Sequence, residues 1–351
     1  MRRLVFLALT IATGCSDALE QQSSTGQVIG VVNGGDRTLS LISATDFTVS
    51  TRDWQRGSAT PRTIDGRGNV FLVPLGQADA VGVDRLLGPC GPGALCVQPD
   101  YVLPLAAGSG ATGVAIQDDS IAWIANPNLN TVTRINYLSR DTVSVPVGVH
   151  PQAVAIVGTR VFVVNSNVVG SSPAGPSWLT SFECCSVGIP DSIPLTGTNA
   201  RFAVVGDDSL LYVIASGHAG AADGRLSIVD PHPPAGVEIA VLNGLGESPG
   251  AATFHPAGSR LLVASPTEGI LEVNTSTRAV TRGPGKNSVK PGGHGVSGLA
   301  IDLRGRVYAV DPGACATAGT VHVLTPPPNY GEIEAVPVGV CPTTAAVAVT
   351  P

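Results

Sequence analysis

A glutamate and a histidine occupy matching positions in two successive copies of an internal repeat. Glu247 and His294 each stand a few residues before an apolar strand segment. A carboxylate and an imidazole at neighbouring positions can bind a divalent metal ion or act as an acid–base pair. The alternative is that each side chain is solvated or bonds its own loop, because the spacing supplies no third ligand. Glu247 and His294 are therefore candidate catalytic residues, with any metal undefined.

Three other residues at the same end of the repeat are candidates for ligand binding: His150, Asn199 and Arg201. Arg201 matches Gln152 in register and could meet an anionic ligand, although pairing with a nearby acid is the alternative. His150 belongs to a His-Pro pair that equally suits a plain loop. His255 occupies the turn HPAGSR at the other end of the repeat, where we expect a surface position.

Composition and missing motifs exclude several classes of function. The chain has 351 residues, a net charge of −6 and no stripe of basic residues, which argues against nucleic acid as a partner. No P-loop or H-E-x-x-H pattern is present. The 3 tryptophans are too few for a quinone-binding propeller, and we expect no cofactor.

The segment from Gly113 to Pro151 shows the element that positions these residues. Four short apolar runs alternate with polar turns, such as Asp118-Asp119 and Asn126-Pro127-Asn128. This pattern predicts an antiparallel meander of four strands. One such meander exposes an apolar face, so it needs similar neighbours to cover it.

Copies of this meander follow one another along the chain. The first strand, its turn and the second strand recur in six segments, which begin at Arg62, Val114, Val154, Phe202, Ala252 and Leu299. The copy from Val28 lacks a first strand, while the copy from Pro342 has only a first strand. The two fragments complement each other, so the second should complete the first and leave no open sheet edge.

The sequence thus predicts an all-β fold, a seven-bladed β-propeller over residues 28–351. Its blades are four-stranded and antiparallel, and the C-terminal strand completes the N-terminal blade. Two blades carry insertions. LLGPCGPGALCVQPD lies between the third and fourth strands of blade 2, and VVGSSPAGPS lies between the second and third strands of blade 4.

Two segments carry a resemblance to a known family. VVNGGDRTLSLIS from Val31 and IANPNLNTVTRIN from Ile124 resemble the YVTN-type β-propeller repeat, which also occurs in surface-antigen propellers. The resemblance extends over residues 28–351 and implies a surface or periplasmic propeller that acts as a binding scaffold. It implies no reaction, because one fold hosts many functions.

A second resemblance supplies the alternative function. GGHGVSGLAIDLRGRVYAV from Gly292 resembles a blade of the streptogramin lyase family, with its histidine just before the first strand. This resemblance implies a metal-dependent propeller enzyme, of the lyase or lactonase kind, with its site at the channel mouth.

The N-terminus predicts export. Residues 1–14 combine a basic start with an apolar run too short to span a bilayer, as in a signal peptide. Ala12 to Cys15 resembles a bacterial lipobox, with Ala12 where Leu is usual. Residues 15–27 would then be a lipidated cysteine and a flexible tether. The prediction is a membrane-anchored lipoprotein of the bacterial cell envelope, at the outer membrane on its periplasmic or surface side, with an unidentified protein or small-molecule ligand. The alternative is ordinary cleavage that leaves Cys15 as a free thiol.

The six remaining cysteines suggest disulfides in an exported chain. Three pairs follow from their positions in the repeat: Cys90 with Cys96, Cys315 with Cys341, and the adjacent Cys184 and Cys185. The bridge from Cys315 would clamp the closure of the ring. The adjacent pair is either a strained vicinal disulfide or two free thiols.

Replacement of Cys15 tests the lipid anchor. Cys15→Ser removes the thiol that would carry the lipid, so the protein should leave the membrane fraction and become soluble. Fractionation of cells followed by immunoblotting measures this. Unchanged membrane association of the variant would contradict the anchor.

Overall fold

The computed structural model describes residues 26–54, 57–91, 94–98, 101–232, 236–256 and 258–351. The expected signal peptide, Cys15 and nearly all of the tether lie outside the described residues. Within the described part of the chain, no helix has the length and apolar character needed to cross a membrane. One short 3-10 turn occurs at Pro291–Gly293.

Short strands make up nearly all of the regular structure. In chain order, the first sixteen are β1 (Gln27–Asn33), β2 (Thr38–Ser43), β3 (Val49–Asp53), β4 (Asp65–Arg67), β5 (Val70–Pro74), β6 (Ala80–Gly91), β7 (Ala94–Val97), β8 (Val102–Pro104), β9 (Val114–Ile116), β10 (Ile121–Asn126), β11 (Thr131–Asn136), β12 (Thr142–Pro146), β13 (Pro151–Val157), β14 (Arg160–Asn165), β15 (Val168–Val169) and β16 (Ser172–Pro173). The others are β17 (Pro176–Glu183), β18 (Ser186–Thr198), β19 (Ala200–Val205), β20 (Leu211–Ala215), β21 (Arg225–Asp230), β22 (Val237–Asn243), β23 (Ala252–His255), β24 (Arg260–Ser265), β25 (Gly269–Asn274), β26 (Ala279–Arg282), β27 (Gly298–Ile301), β28 (Val307–Asp311), β29 (Ala318–Leu324), β30 (Glu332–Val340) and β31 (Pro342–Val349).

These strands form a seven-bladed β-propeller, as the sequence predicts. Blade 1 has the order β31-β1-β2-β3, blade 3 runs from β9 to β12, and blade 4 has the order β13-β14-β17-β18. Blades 5, 6 and 7 run from β19 to β22, from β23 to β26 and from β27 to β30. The innermost strand of each blade faces the central channel.

Both insertions become local strand pairs. In blade 2, which contains β4, β5 and β6, the long strand β6 pairs with β8 along its first half and with β7 along its second half. The outer position of this blade is therefore shared by two short strands. In blade 4, the insertion forms the separate hairpin β15–β16.

The ring closes through the pairing of β31 with β1. Val28 lies opposite Ala348 and Val32 lies opposite Thr344 in an antiparallel register. The C-terminal strand thus becomes the inner strand of the blade that begins the propeller, which confirms the predicted closure.

The hydrophobic core consists of seven clusters, each between two neighbouring blades. Successive residues of β1 alternate between two of these clusters, because strand side chains point to opposite faces. Val28 and Val32 pack toward blade 2, while Ile29 and Val31 pack toward blade 7. Each blade therefore buries both of its faces.

The asparagine of the repeat motif has a structural role. Buried Asn126, at the end of β10, donates hydrogen bonds from Nδ2 to the Oγ1 atoms of Thr131, at 3.1 Å, and Thr133, at 2.8 Å. Asn33 makes the same pattern with Thr38 and Ser40 in blade 1. The asparagine thus fixes the hairpin between the second and third strands.

Of the predicted cysteine pairs, one is seen in full. Cys315 and Cys341 form a disulfide with a Cα–Cα separation of 4.2 Å, which confirms the expected clamp beside the ring closure. Cys96 is disulfide-bonded, while the side chain of Cys90 lies outside the described residues.

Cys184 and Cys185 are free thiols in the turn between β17 and β18, with their Sγ atoms 3.0 Å apart. This separation is well beyond the length of an S–S bond, about 2.05 Å, so the vicinal bridge is not formed. Burial raises the pKa of the Cys184 thiol to about 11.

The expected surface position of His255 is wrong. Its side chain is buried, and Nε2 hydrogen-bonds the carbonyl of Gly305 in blade 7 at 3.0 Å. The turn sequence correctly placed His255 beside the turn that joins β23 to β24. It could not show that the imidazole ring reaches across to the next blade.

Removal of the clamp should destabilise the propeller. The disulfide closes a loop with a sequence separation of 26 residues, and the chain-entropy estimate for such a loop is about 3 kcal/mol. The double variant Cys315→Ser/Cys341→Ser should therefore unfold at a temperature several degrees lower than the wild type in a thermal scan. The control is the Cys184→Ser/Cys185→Ser variant, which removes two thiols and no bridge. Equal unfolding temperatures of the clamp variant and the wild type would contradict this role.

Candidate functional site at the channel mouth

A polar cavity of about 370 Å³ opens at the end of the channel where the first strands begin. Each of the seven blades contributes one residue at an equivalent position in its first strand or just before it. These seven mouth residues are Thr63, Thr112, Gln152, Arg201, Gly250, Ser297 and Thr343. A second cavity of about 410 Å³ lies deeper in the channel, among the inner strands of all seven blades.

Hydroxyl groups around this mouth tie each blade to the next. Thr343 Oγ1 donates to the carbonyl of Arg62 at 3.0 Å, and Ser297 Oγ donates to the carbonyl of Pro342 at 2.9 Å. Thr63 Oγ1 donates to the carbonyl of Thr112 in the same way. In blade 5, Ser216 Oγ donates to the carbonyl of Pro249 in blade 6 at 2.8 Å. These hydroxyls keep lone pairs that can accept hydrogen bonds from a ligand.

Two β-bulges direct long polar side chains into the mouth. In β13 the pairing with β14 shifts between Pro151 and Ala153, which leaves Gln152 unpaired. In β19 the pairing with β20 shifts between Ala200 and Phe202, which leaves Arg201 unpaired. Bulges re-aim side chains in this way near binding sites. The equal register of Gln152 and Arg201, expected from the sequence, thus arises from the same irregularity in two blades.

Arg201 is held by an amide rather than by a carboxylate. Its Nε donates to Oδ1 of Asn199 at 3.0 Å, and Asn199 Nδ2 donates to the carbonyl of Gly217 at 3.1 Å. Solvent reaches Arg201 through the mouth, but the surrounding protein replaces part of its hydration. This desolvation and the nearby charge of Arg62 lower the pKa of the Arg201 guanidinium.

His150 lies next to this group and is half-buried. Gln152 Nε2 donates to His150 Nδ1 at 2.9 Å, and Ser166 Oγ lies 3.0 Å from the same nitrogen. Burial lowers the pKa of His150 below its ordinary value, and the positive charge of Arg201 lowers it further.

The insertion of blade 4 covers one side of the mouth. Ser171 and Pro173 of the β15–β16 hairpin line the cavity, together with Ala219 from the loop between β20 and β21. Deeper in the channel, Asp65 accepts hydrogen bonds from the amides of Ile116 at 2.7 Å and Gly66 at 2.8 Å. Burial raises the pKa of the Asp65 carboxyl despite these two bonds.

The candidate pair Glu247 and His294 is not joined by a hydrogen bond or ion pair between its side chains in the structure. His294 Nδ1 instead lies 2.7 Å from Oδ2 of Asp311, a residue of its own blade. His322 lies 3.7 Å from the same carboxylate oxygen. Among the described residues, no group of three or more His, Cys, Asp or Glu side chains is placed to hold a metal ion.

Of the residues expected at the ligand site, Asn199 and Arg201 line the mouth cavity and His150 adjoins it. Sequence reasoning missed Arg62, which also lines the cavity. Its position directly before Thr63 could have indicated this, because Thr63 corresponds to Gln152 and Arg201 in the repeat.

No protein-family model matches this sequence, and no curated protein matches it either. Solved structures match the fold. A functionally unknown protein from Desulfotomaculum acetoxidans DSM 771 has a TM-score of 0.66 at 12% identity, over 93% of this chain and 99% of that chain. Hydrazine synthase from Kuenenia stuttgartiensis has a TM-score of 0.63 at 13% identity, over 83% and 90% of the two chains. Apo AztD from Citrobacter koseri has a TM-score of 0.58 at 11% identity, over 93% and 98%. At these identities the likeness shows the β-propeller fold alone.

The pKa of His150 reports on the charge at the mouth. Arg201→Gln removes the neighbouring positive charge, so the pKa of His150 should rise toward its ordinary value of 6.5 while the contribution of burial remains. Titration of the imidazole signals by NMR measures this change. Arg304→Gln, in the turn between β27 and β28, is the control for the change in net charge. A pKa of His150 that is the same in the wild type and Arg201→Gln would contradict the described proximity.

Proposed function

We propose that this protein is an exported, lipid-anchored β-propeller of the bacterial cell envelope, of the YVTN type, that binds a ligand at the channel mouth. The observation that carries the proposal is the polar cavity of about 370 Å³ into which two bulged strands direct Gln152 and Arg201. Such bulges interrupt regular pairing, and their usual benefit is the placement of a side chain at a functional site.

Two features support binding as the activity. The mouth offers hydrogen-bond donors and acceptors from several blades in one concave surface, as ligand sites do. Its volume lies at the lower end of the range for small-molecule sites, so the ligand is a small molecule or the tip of a protein loop.

Several hydroxyls of the mouth are not placed for nucleophilic catalysis. The hydroxyls of Thr63, Ser297 and Thr343, which line its cavity, donate to backbone carbonyls rather than to a base. An activated nucleophile donates its proton to an adjacent general base. We therefore assign recognition, rather than turnover, to this surface.

A blocking substitution at Gly250 tests the location of the site. A Cβ atom at Gly250 would make only ordinary contacts, the nearest being 3.5 Å from Phe202, and this residue lines the mouth. Gly250→Trp should therefore fold and fill the cavity with its indole ring. The matched control is Gly331→Trp, in the exposed turn between β29 and β30, where a Cβ atom also fits, 3.4 Å from Thr325.

The screen uses a panel of sugars, amino acids, short peptides, organic acids and nucleotides, with the unfolding temperature as the first readout and calorimetry as the second. Compounds that bind the wild type should bind Gly331→Trp equally and lose at least tenfold in affinity for Gly250→Trp. Ligands that bind Gly250→Trp as tightly as the wild type would place the site elsewhere.

A further inference from the structure

The charge of the mouth differs from the charge of the whole protein. The chain carries a net charge of −6. Among the residues that line the mouth cavity, however, the charged ones are Arg62 and Arg201, and the others are neutral. An acidic protein thus presents a local positive surface at its most concave point, where low-dielectric walls strengthen electrostatic interactions.

Arg62 and Arg201 are exposed at the mouth, unlike several partly buried arginines that carboxylates hold elsewhere in the fold. Partly buried arginines in several blades are matched with carboxylates: Arg52 with Asp84 at 2.8 Å, Arg160 with Asp191 at 2.8 Å, Arg260 with Glu272 at 3.1 Å, and Arg306 with Asp302 at 2.6 Å. No carboxylate of the described residues forms an ion pair with Arg62 or Arg201.

The two guanidinium groups come from opposite sides of the channel. Arg62 precedes the inner strand of blade 2, and Arg201 belongs to the inner strand of blade 5, three blades away in a ring of seven. They are close enough for the charge of Arg62 to lower the pKa of Arg201. Two like charges in one cavity repel, and an anion between them adds two attractions that offset this repulsion.

The guanidinium of Arg201 is oriented for such an anion. Its Nε–H group is engaged by Asn199 Oδ1, so the terminal Nη groups remain for another partner. Asn199 is itself fixed, with a φ of 53° and a hydrogen bond to Gly217. Two parallel N–H donors match the two oxygens of a carboxylate or phosphate, which gives a short and strong bidentate contact.

We propose that the channel mouth binds a small dianion, held between the guanidinium groups of Arg62 and Arg201. This inference rests on the proposed function, which places the ligand at the mouth. Two negative charges balance the two guanidinium groups, whereas a monoanion leaves one positive charge uncompensated. A phosphate group and a dicarboxylate share this chemistry. Asn199 is a positioning residue that acts through Arg201.

Calorimetry on the full-length protein in detergent tests the inference. Inorganic phosphate and succinate are the two dianionic probes, acetate is the monoanionic probe and glycerol is the neutral probe, all at constant ionic strength. At least one dianion should bind with a stoichiometry of one, and acetate should bind at least tenfold more weakly. Whether phosphate or succinate binds more tightly identifies the source of the oxyanion.

Substitutions at the two arginines locate the contact. Arg62→Gln and Arg201→Gln should each weaken the dianion by ten- to a hundredfold, as expected for the loss of one charge-assisted contact. Arg201→Lys keeps the positive charge but loses the two parallel N–H donors of the guanidinium. The affinity of this variant for the dianion should therefore fall between those of the wild type and Arg201→Gln. Arg304→Gln, with an exposed arginine in the turn between β27 and β28, should bind as the wild type does.

Folding of the variants is checked by their unfolding temperatures. The Gln substitutions remove a repulsion and no ion pair, so these temperatures should stay equal to that of the wild type or rise. No heat from either dianion, or equal affinity in the wild type and both Gln variants, would overturn the inference. If a neutral ligand from the panel still requires an open mouth at Gly250, the proposed function stands and the dianion alone is rejected.

Discussion

Face-to-face packing between neighbouring blades is the constraint on which this structure depends. Each blade has two apolar faces, and each face is covered only when the ring is complete. The fit is close. A Cβ atom at Gly30 would approach the Phe71 ring of blade 2 to 3.0 Å, so the glycine provides the space that the aromatic ring fills. The pairing of β31 with β1 makes the one junction that the continuous chain does not make, and the disulfide between Cys315 and Cys341 ties the start of β31 to blade 7.

The sequence contained enough information for this architecture because the signals are local and repeated. Apolar runs between Asp, Asn and Gly turns defined the strands, and the missing first strand at Val28 matched the extra one at Pro342. The position of Cys341 just before that strand predicted the clamp. Asn126 and Asn33 were recognised as part of a motif, and the structure supplies the reason, which is the bonding of each to the third strand.

The site was predictable only in part, because its geometry depends on pairings between strands and between blades. The register of Arg201 and Gln152 could be read from the repeat, but the bulges that turn both side chains inward depend on how each strand pairs with its partner. The approach of Arg62 from the far side of the ring has no counterpart in sequence spacing. Equal positions in the repeat also suggested a pair from Glu247 and His294, whereas in the structure His294 contacts Asp311 of its own blade.

The hydrogen bonds from hydroxyls to the carbonyls of the next blade have a further consequence. They join blades 7, 1, 2 and 3 around one half of the opening, and Ser216 joins blades 5 and 6 on the other half. The aperture of the channel is thereby set during folding, before any ligand arrives. If the mouth binds a ligand as proposed, binding would require the rotation of a few side chains rather than the movement of blades, which would limit the entropy lost on association. A fixed aperture would also exclude molecules that are too wide to enter, whatever their charge.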